Sequence, residues 1–133
     1  MNVKQVIVIR KDLKMRRGKE ISQGSHASLA WLSHRLRESN NNPKFSEAEQ
    51  EWLTSAFAKV TLQVESEEDL RQVFQQAKEA GLEAHLIIDS GRTEFDGIPT
   101  ATAVGIGPDE VSKIDKVTGR DSSLGKMEKV KLY

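Results

Sequence analysis

The chain has no cysteine among its 133 residues, so it can build neither a disulfide framework nor a thiolate metal site. It also has little in the way of long apolar runs. Val6-Ile7-Val8-Ile9 near the start is interrupted by Arg10 and Lys11, too short for the core of a signal peptide or for a membrane span. A soluble cytoplasmic protein with no membrane partner is therefore expected. His26, His34 and His85 have no paired ligand spacing and no His-Glu-x-x-His motif occurs, so no metal is expected. No Gly-x-Gly-x-x-Gly or Gly-Lys-Ser/Thr loop completes Gly105-Ile106-Gly107, and glycines at such a position more commonly serve close packing. Net charge is missing too, with 20 basic residues against 20 acidic ones, which taken alone argues against a dedicated nucleic-acid binder.

The distribution of charge says otherwise. Residues 10 to 19 hold Arg10, Lys11, Lys14, Arg16, Arg17 and Lys19 against Asp12 alone, a local charge of +5. Acidic residues gather at Glu47, Glu49 and Glu51 and again from Glu65 to Asp69, so the surface is expected to be polarised. A polarised surface can steer a polyanion to one face at zero net charge, although a basic turn is by default a solvated loop.

Residues 3 to 10 read as a strand buried on both faces, because their branched apolar residues are nearly continuous. From Lys19 to about Arg37 the period turns helical, with Ile21, Ser25, Ser28, Leu29, Leu32 and Leu36 at three- and four-residue steps. Gly24, Ser25, Ala27 and Ser28 make the first half of that helix small enough to approach a sheet, a second subunit or a ligand. Ser46 with Glu49 has the form of a capping box opening a short helix through Trp52. Val60, Leu62 and Val64 alternate as a second strand, and Ser66 opens a helix with Leu70, Val73, Phe74 and Ala77 on one face and Gly81 past its end. His85 to Ile88 form a third strand ending at Asp89, and Thr102 to Ile106 a fourth. Gly107-Pro108-Asp109-Glu110 then reads as a helix start, with proline first and acids in the first turn. Asp121 to Lys129 reads as a mobile or hairpin-like extension before Val130 to Tyr133. The order β-α-α-β-α-β-β-α implies one α/β domain over residues 1–133, a three-layer α/β/α sandwich around a mixed four-stranded sheet.

Ser25 and His26 are adjacent on a helix and point about 100° apart, so they form no dyad. Ser22 and His26, four apart, could touch with Asp89 as an orienting carboxylate, but no Gly-x-Ser-x-Gly elbow supports a serine hydrolase. What remains is Lys19 near the start of the first helix, with Asp89 and Thr93 at the end of the third strand. Strands one and three of such a sheet end on the same edge, where α/β folds place ligands. On spacing alone a Lys19–Asp89 ion pair tying helix to strand end is the competing structural reading.

At these residues the chain resembles the type 2 peptidyl-tRNA hydrolase family, the archaeal and eukaryotic kind also found in some bacteria and phages. The matching elements are Asp12-Leu13-Lys14-Met15, Gly18-Lys19, Gln23, Ser25-His26-Ala27, Asp89-x-Gly91-Arg92-Thr93, Thr102-x-x-Gly105-Ile106-Gly107-Pro108 and the terminal Lys131-Leu132-Tyr133. The resemblance implies a homodimer of α/β/α fold that hydrolyses the ester between peptide and tRNA with no cofactor or metal. It implies Lys19, Asp89 and Thr93 as active-site residues, with Gln23, Ser25, His26 and Thr102 as supporting or binding residues. Lys14, Arg16, Arg17 and Arg92 would then face tRNA phosphates. Gly24, Ser22, Ser90, the loop from Glu94 to Thr100 and the longer segment 120 to 129 depart from the family pattern. A non-catalytic RNA-binding module on the same scaffold and a small-molecule esterase are the competing readings.

Overall fold

The computed structural model describes residues 1–91, 95–119 and 130–133. Its elements run β1 (Val3–Arg10), α1 (Arg17–Glu38), α2 (Glu47–Thr54), β2 (Lys59–Val64), α3 (Glu67–Glu79), β3 (Ala84–Asp89), β4 (Thr100–Glu110), α4 (Val111–Thr118) and β5 (Lys131–Leu132), with a short 3-10 turn at Phe95–Gly97. The sheet is mixed and has five strands in the order β3-β4-β1-β2-β5, correcting the expected count of four. The added strand is the C-terminal one. β5 is two residues long and exists through its antiparallel pairing with Leu62 and Gln63 of β2.

β1 shows why its sequence is so continuously apolar. Val6 and Val8 pack in one cluster with Leu70, Val73 and Ala77 of α3 and Ile114 and Val117 of α4. Ile7 and Ile9, pointing the other way, pack in a second cluster with Met15, Ala27 of α1 and Ala103 of β4. A central strand with apolar partners on both sides has no polar alternation to display.

Both β1 and β3 run antiparallel to β4, which lies between them, so they share a direction and their C-terminal ends meet one edge of the sheet. That edge is where α1 begins. The helix sits close to the sheet because Gly105 of β4 lies beneath it: a Cβ added there would stand 2.0 Å from the Ala27 carbonyl oxygen. A reciprocal polar pair fixes its rotation, with Gln5 Nε2 donating to the Ser28 carbonyl at 2.8 Å and Ser28 Oγ donating to Gln5 Oε1 at 2.6 Å. Both residues are buried.

α2 opens on the expected capping box, and its Glu49 also takes two hydrogen bonds from the Arg35 guanidinium of α1, each 2.9 Å. Two expectations fail at the end of β4. The strand covers Thr100–Glu110, longer than Thr102 to Ile106, and Gly107-Pro108-Asp109-Glu110 is strand, not helix start. The reason is tertiary: Asp109 and Glu110 pair with Lys4 and Val3 of β1, and Gly107 N–H donates to the Glu83 carbonyl at 2.8 Å, so the ladder outbids the local helix signal. The helix starts one turn later, at Val111. The extension expected from Asp121 to Lys129 lies outside the described residues.

Candidate active site

Lys19 enters from the first turn of α1 and Asp89 from the last position of β3, and their side chains meet: Lys19 Nζ donates to Asp89 Oδ1 at 2.8 Å. Both are mostly withdrawn from water, with side-chain exposures of 14% and 11%. Gln23, one turn along α1, donates from Nε2 to the same Oδ1 at 3.3 Å, and the Gly91 N–H donates to Oδ2 at 2.9 Å. Gly91 holds a φ of +82°, and a Cβ there would lie 2.5 Å from the Ile98 carbonyl oxygen, so only glycine fits this turn without movement.

Gln23 in turn accepts from Thr102 Oγ1 of β4, and both residues are buried. Since the Thr102 hydroxyl donates to the amide oxygen, the Gln23 amide nitrogen is left facing Asp89. The hydrogen bonds therefore run in one direction, from Thr102 through Gln23 to Asp89, which accepts. Its effect is electrostatic as well: the Lys19 hydrogen bond lowers the Asp89 pKa below the ordinary carboxylate value, the Gly91 N–H and the charges of Lys19 and His26 act in the same sense, and burial opposes them.

The other expected residues are placed less centrally. Ser25 is exposed and its hydroxyl turns back to donate to the Ile21 carbonyl of its own helix at 2.9 Å. His26 is exposed and lines, with Gln23 and Asp89, a groove of about 770 Å³ between α1 and β3. Thr93 and Arg92 lie outside the described residues. Phe95 supplies an aromatic face, with its ring centre 5.9 Å from Lys19 Nζ, a contact that nothing in the sequence pattern indicated.

The six cations of the basic turn divide into two groups. Arg10 is buried, pairs with Asp12 at 2.6 Å, and donates to the Ala101 carbonyl at 3.0 Å. Lys11 donates to the Tyr133 hydroxyl at 3.1 Å, and that hydroxyl donates to Glu20 of α1, so the terminal tyrosine is tied to the turn. Lys19 faces Asp89. Lys14, Arg16 and Arg17 are exposed, with Lys14 at a φ of 52°. Among the described residues no group of three histidine, aspartate or glutamate side chains could hold a metal ion, and no helix is long and apolar enough to cross a membrane.

The fold and site thus describe an α/β protein with a lysine–carboxylate pair, backed by a buried amide and hydroxyl, at the strand ends beside a basic turn. The sequence model of the family described as Peptidyl-tRNA hydrolase PTH2 matches residues 3–122. The chain belongs to that family. It is 41% identical over 118 residues to a protein named Peptidyl-tRNA hydrolase from Methanocaldococcus jannaschii, covering 88% of this chain and 96% of the relative. Proteins of the same name from Methanococcus maripaludis and Methanopyrus kandleri are each 43% identical, over 114 and 117 residues, covering 86% and 87% of this chain and 92% and 93% of theirs.

Proposed function

We propose that the Lys19–Asp89 pair is the reacting centre of a peptidyl-tRNA hydrolase. Family membership makes the chain a hydrolase of the ester that joins a peptide to tRNA, and the observation that carries the site is the pair itself, withdrawn from water and braced by Gln23 and Gly91.

Each carboxylate oxygen offers two lone pairs. Oδ1 accepts from both Lys19 and Gln23, whereas Oδ2 accepts from Gly91 alone among the described residues. Oδ2 is therefore the atom that takes a water proton, with Thr93 helping to orient that water. The water oxygen adds to the carbonyl carbon, Lys19 stabilises the negative charge growing on the carbonyl oxygen, and the ester C–O bond breaks as a proton passes to the ribose oxygen. A carboxylate beside an ammonium is a weak base, so Asp89 contributes chiefly by orienting water, and charge stabilisation by Lys19 carries the larger share of the rate. Gln23 and Thr102 act as positioning residues, while Ser25 and His26 line the approach.

The same reading extends to the whole molecule: a single domain over residues 1–133, a three-layer α/β/α arrangement, a cytoplasmic setting, and tRNA phosphates met by Lys14, Arg16, Arg17 and Arg92. It also includes a homodimer. Ile21, Leu29 and Phe57 are exposed apolar side chains around an apolar cleft of about 830 Å³ on the other side of α1, a surface suited to a second copy.

The test is release of labelled amino acid from N-acetylated aminoacyl-tRNA in the presence of a chelator. Wild type is expected to release it, and Asp89→Asn and Lys19→Ala to lose about a hundred- to a thousandfold in turnover while remaining folded. Folded variants with undiminished turnover would move the reacting centre elsewhere, and folded wild type that binds tRNA without release would favour a binding module.

A further inference from the structure

Side chains alternate between the two faces of a strand, so one face of β3 can offer only every second residue to a cleft. The groove beside the Lys19–Asp89 pair is lined by five consecutive residues, 86 to 90. A groove that meets residues in unbroken succession meets the strand along its edge. β3 stands at the end of the sheet order and pairs only with β4 among the described residues, so its outer edge has no strand beside it. The facing wall is α1, which contributes Gln23, His26, Ala30, Ser33 and Arg37 at three- and four-residue steps, with small side chains in the middle.

We infer that this groove receives the peptide part of peptidyl-tRNA as an extended strand added to the open edge of β3. The inference rests on the peptidyl-tRNA hydrolase reading above. Asp89 and Gln23 belong both to the reacting centre and to the groove, so the two are continuous. The carbon attacked is the last carbonyl of the peptide, and Asp89 is the last residue of β3, so the peptide runs parallel to β3 with its N-terminal end toward Leu86. At about 3.3 Å per residue, the strand edge from Leu86 to Asp89, with Ser90 just beyond it, accommodates about five residues of peptide. Recognition through main-chain N–H and C=O groups ignores side-chain identity, which suits an enzyme that must accept many peptides.

A polynucleotide is the poorer occupant. Among the described residues the groove offers Arg37 as its one permanent cation besides hydrocarbon from Leu29, Ala30, Leu86, Ile87 and Ile88, whereas the exposed Lys14, Arg16 and Arg17 lie beyond Lys19 at the opposite end of α1. The ester then falls between a tRNA side and a peptide side.

The experiment uses one tRNA carrying N-acetylated chains of one to six residues, and a six-residue chain with N-methylated backbone amides. The wild-type kcat/KM is expected to rise with length to about five residues and then level off, and N-methylation to remove about tenfold of the gain. Ala30→Trp, which fills the groove, should lower the ratio of kcat/KM for the long chain to that for the single residue by about tenfold; if that variant does not fold, Ser33→Trp on the exposed rim takes its place. Cleavage of the single-residue substrate with no dependence on length or N-methylation would overturn the groove and leave the hydrolase reading intact. An equal loss on all chain lengths in the tryptophan variants would also overturn it, and folded wild type that cleaves none of the substrates removes both readings.

Discussion

Asp89 is the residue on which the polar groups of the site converge: two side-chain donors reach Oδ1 and one backbone donor reaches Oδ2. Donors favour the ionised form, and here the Lys19 hydrogen bond is the largest influence, so the folded pKa lies below the unfolded one. The sign of the linkage follows. The pair supports the fold at pH values above the ordinary carboxylate range, near 3.9 for an aspartate in an open chain, and that support fades as pH falls through the lower folded value. Replacing Lys19 by methionine removes the leading cause while burial remains, so the Asp89 titration midpoint should move up, to the ordinary value or above it. Carboxyl-carbon NMR titration of Lys19→Met beside wild type measures the shift directly, and an unmoved midpoint would mean that the Gly91 N–H and Gln23, not Lys19, hold the charge.

At the scale of elements, α1 carries both Lys19 and Gln23, and its height above the sheet is set by Gly105 beneath Ala27. A methyl group at Gly105 meets helix backbone at 2.0 Å, which no rotamer change relieves. Gly105→Ala should therefore cost about 1–3 kcal/mol or more, seen as a lower midpoint in urea, and should slow turnover by lifting Lys19 away from Asp89. An unchanged midpoint would show that α1 slides without cost. Much of this element was legible beforehand, since small residues at Gly24, Ala27 and Ser28 announced a close approach, just as β1 was legible from an apolar run that serves two faces. The convergence of Lys19 and Asp89 was legible through topology, because β1 and β3 end at one edge. Other features had no local signal. The two residues of β5 are a strand only because β2 offers an edge, and the Gly107 to Glu110 run obeys helix-start chemistry until β1 pairs with it. The Thr102–Gln23 bond joins residues 79 apart, and no spacing rule connects them. The resemblance alone placed those two near the site.

At the scale of the whole molecule, zero net charge conceals a division of labour among cations. Arg10 and Lys11 hold the turn to β4 and to the C-terminal Tyr133, and Lys19 faces Asp89, while Lys14, Arg16 and Arg17 are the exposed cations of the same stretch. On the proposed function, the exposed three are the cations that would meet tRNA phosphates. Each phosphate neutralised releases counterions, so the logarithm of the tRNA binding constant falls with the logarithm of salt by about 0.7 per contact for single strands and about 0.9 for duplex. Replacing Arg16 and Arg17 together by alanine should flatten that slope by about 1.4 to 1.8 if both contact tRNA, with binding weakened most at low salt. The measurement is a tRNA titration at four or more salt concentrations, wild type beside the double variant, with folding checked by circular dichroism. A slope that keeps its wild-type value while the variant stays folded would place the polyanion on another face, and the basic turn would then be a solvated loop whose cations serve the fold alone.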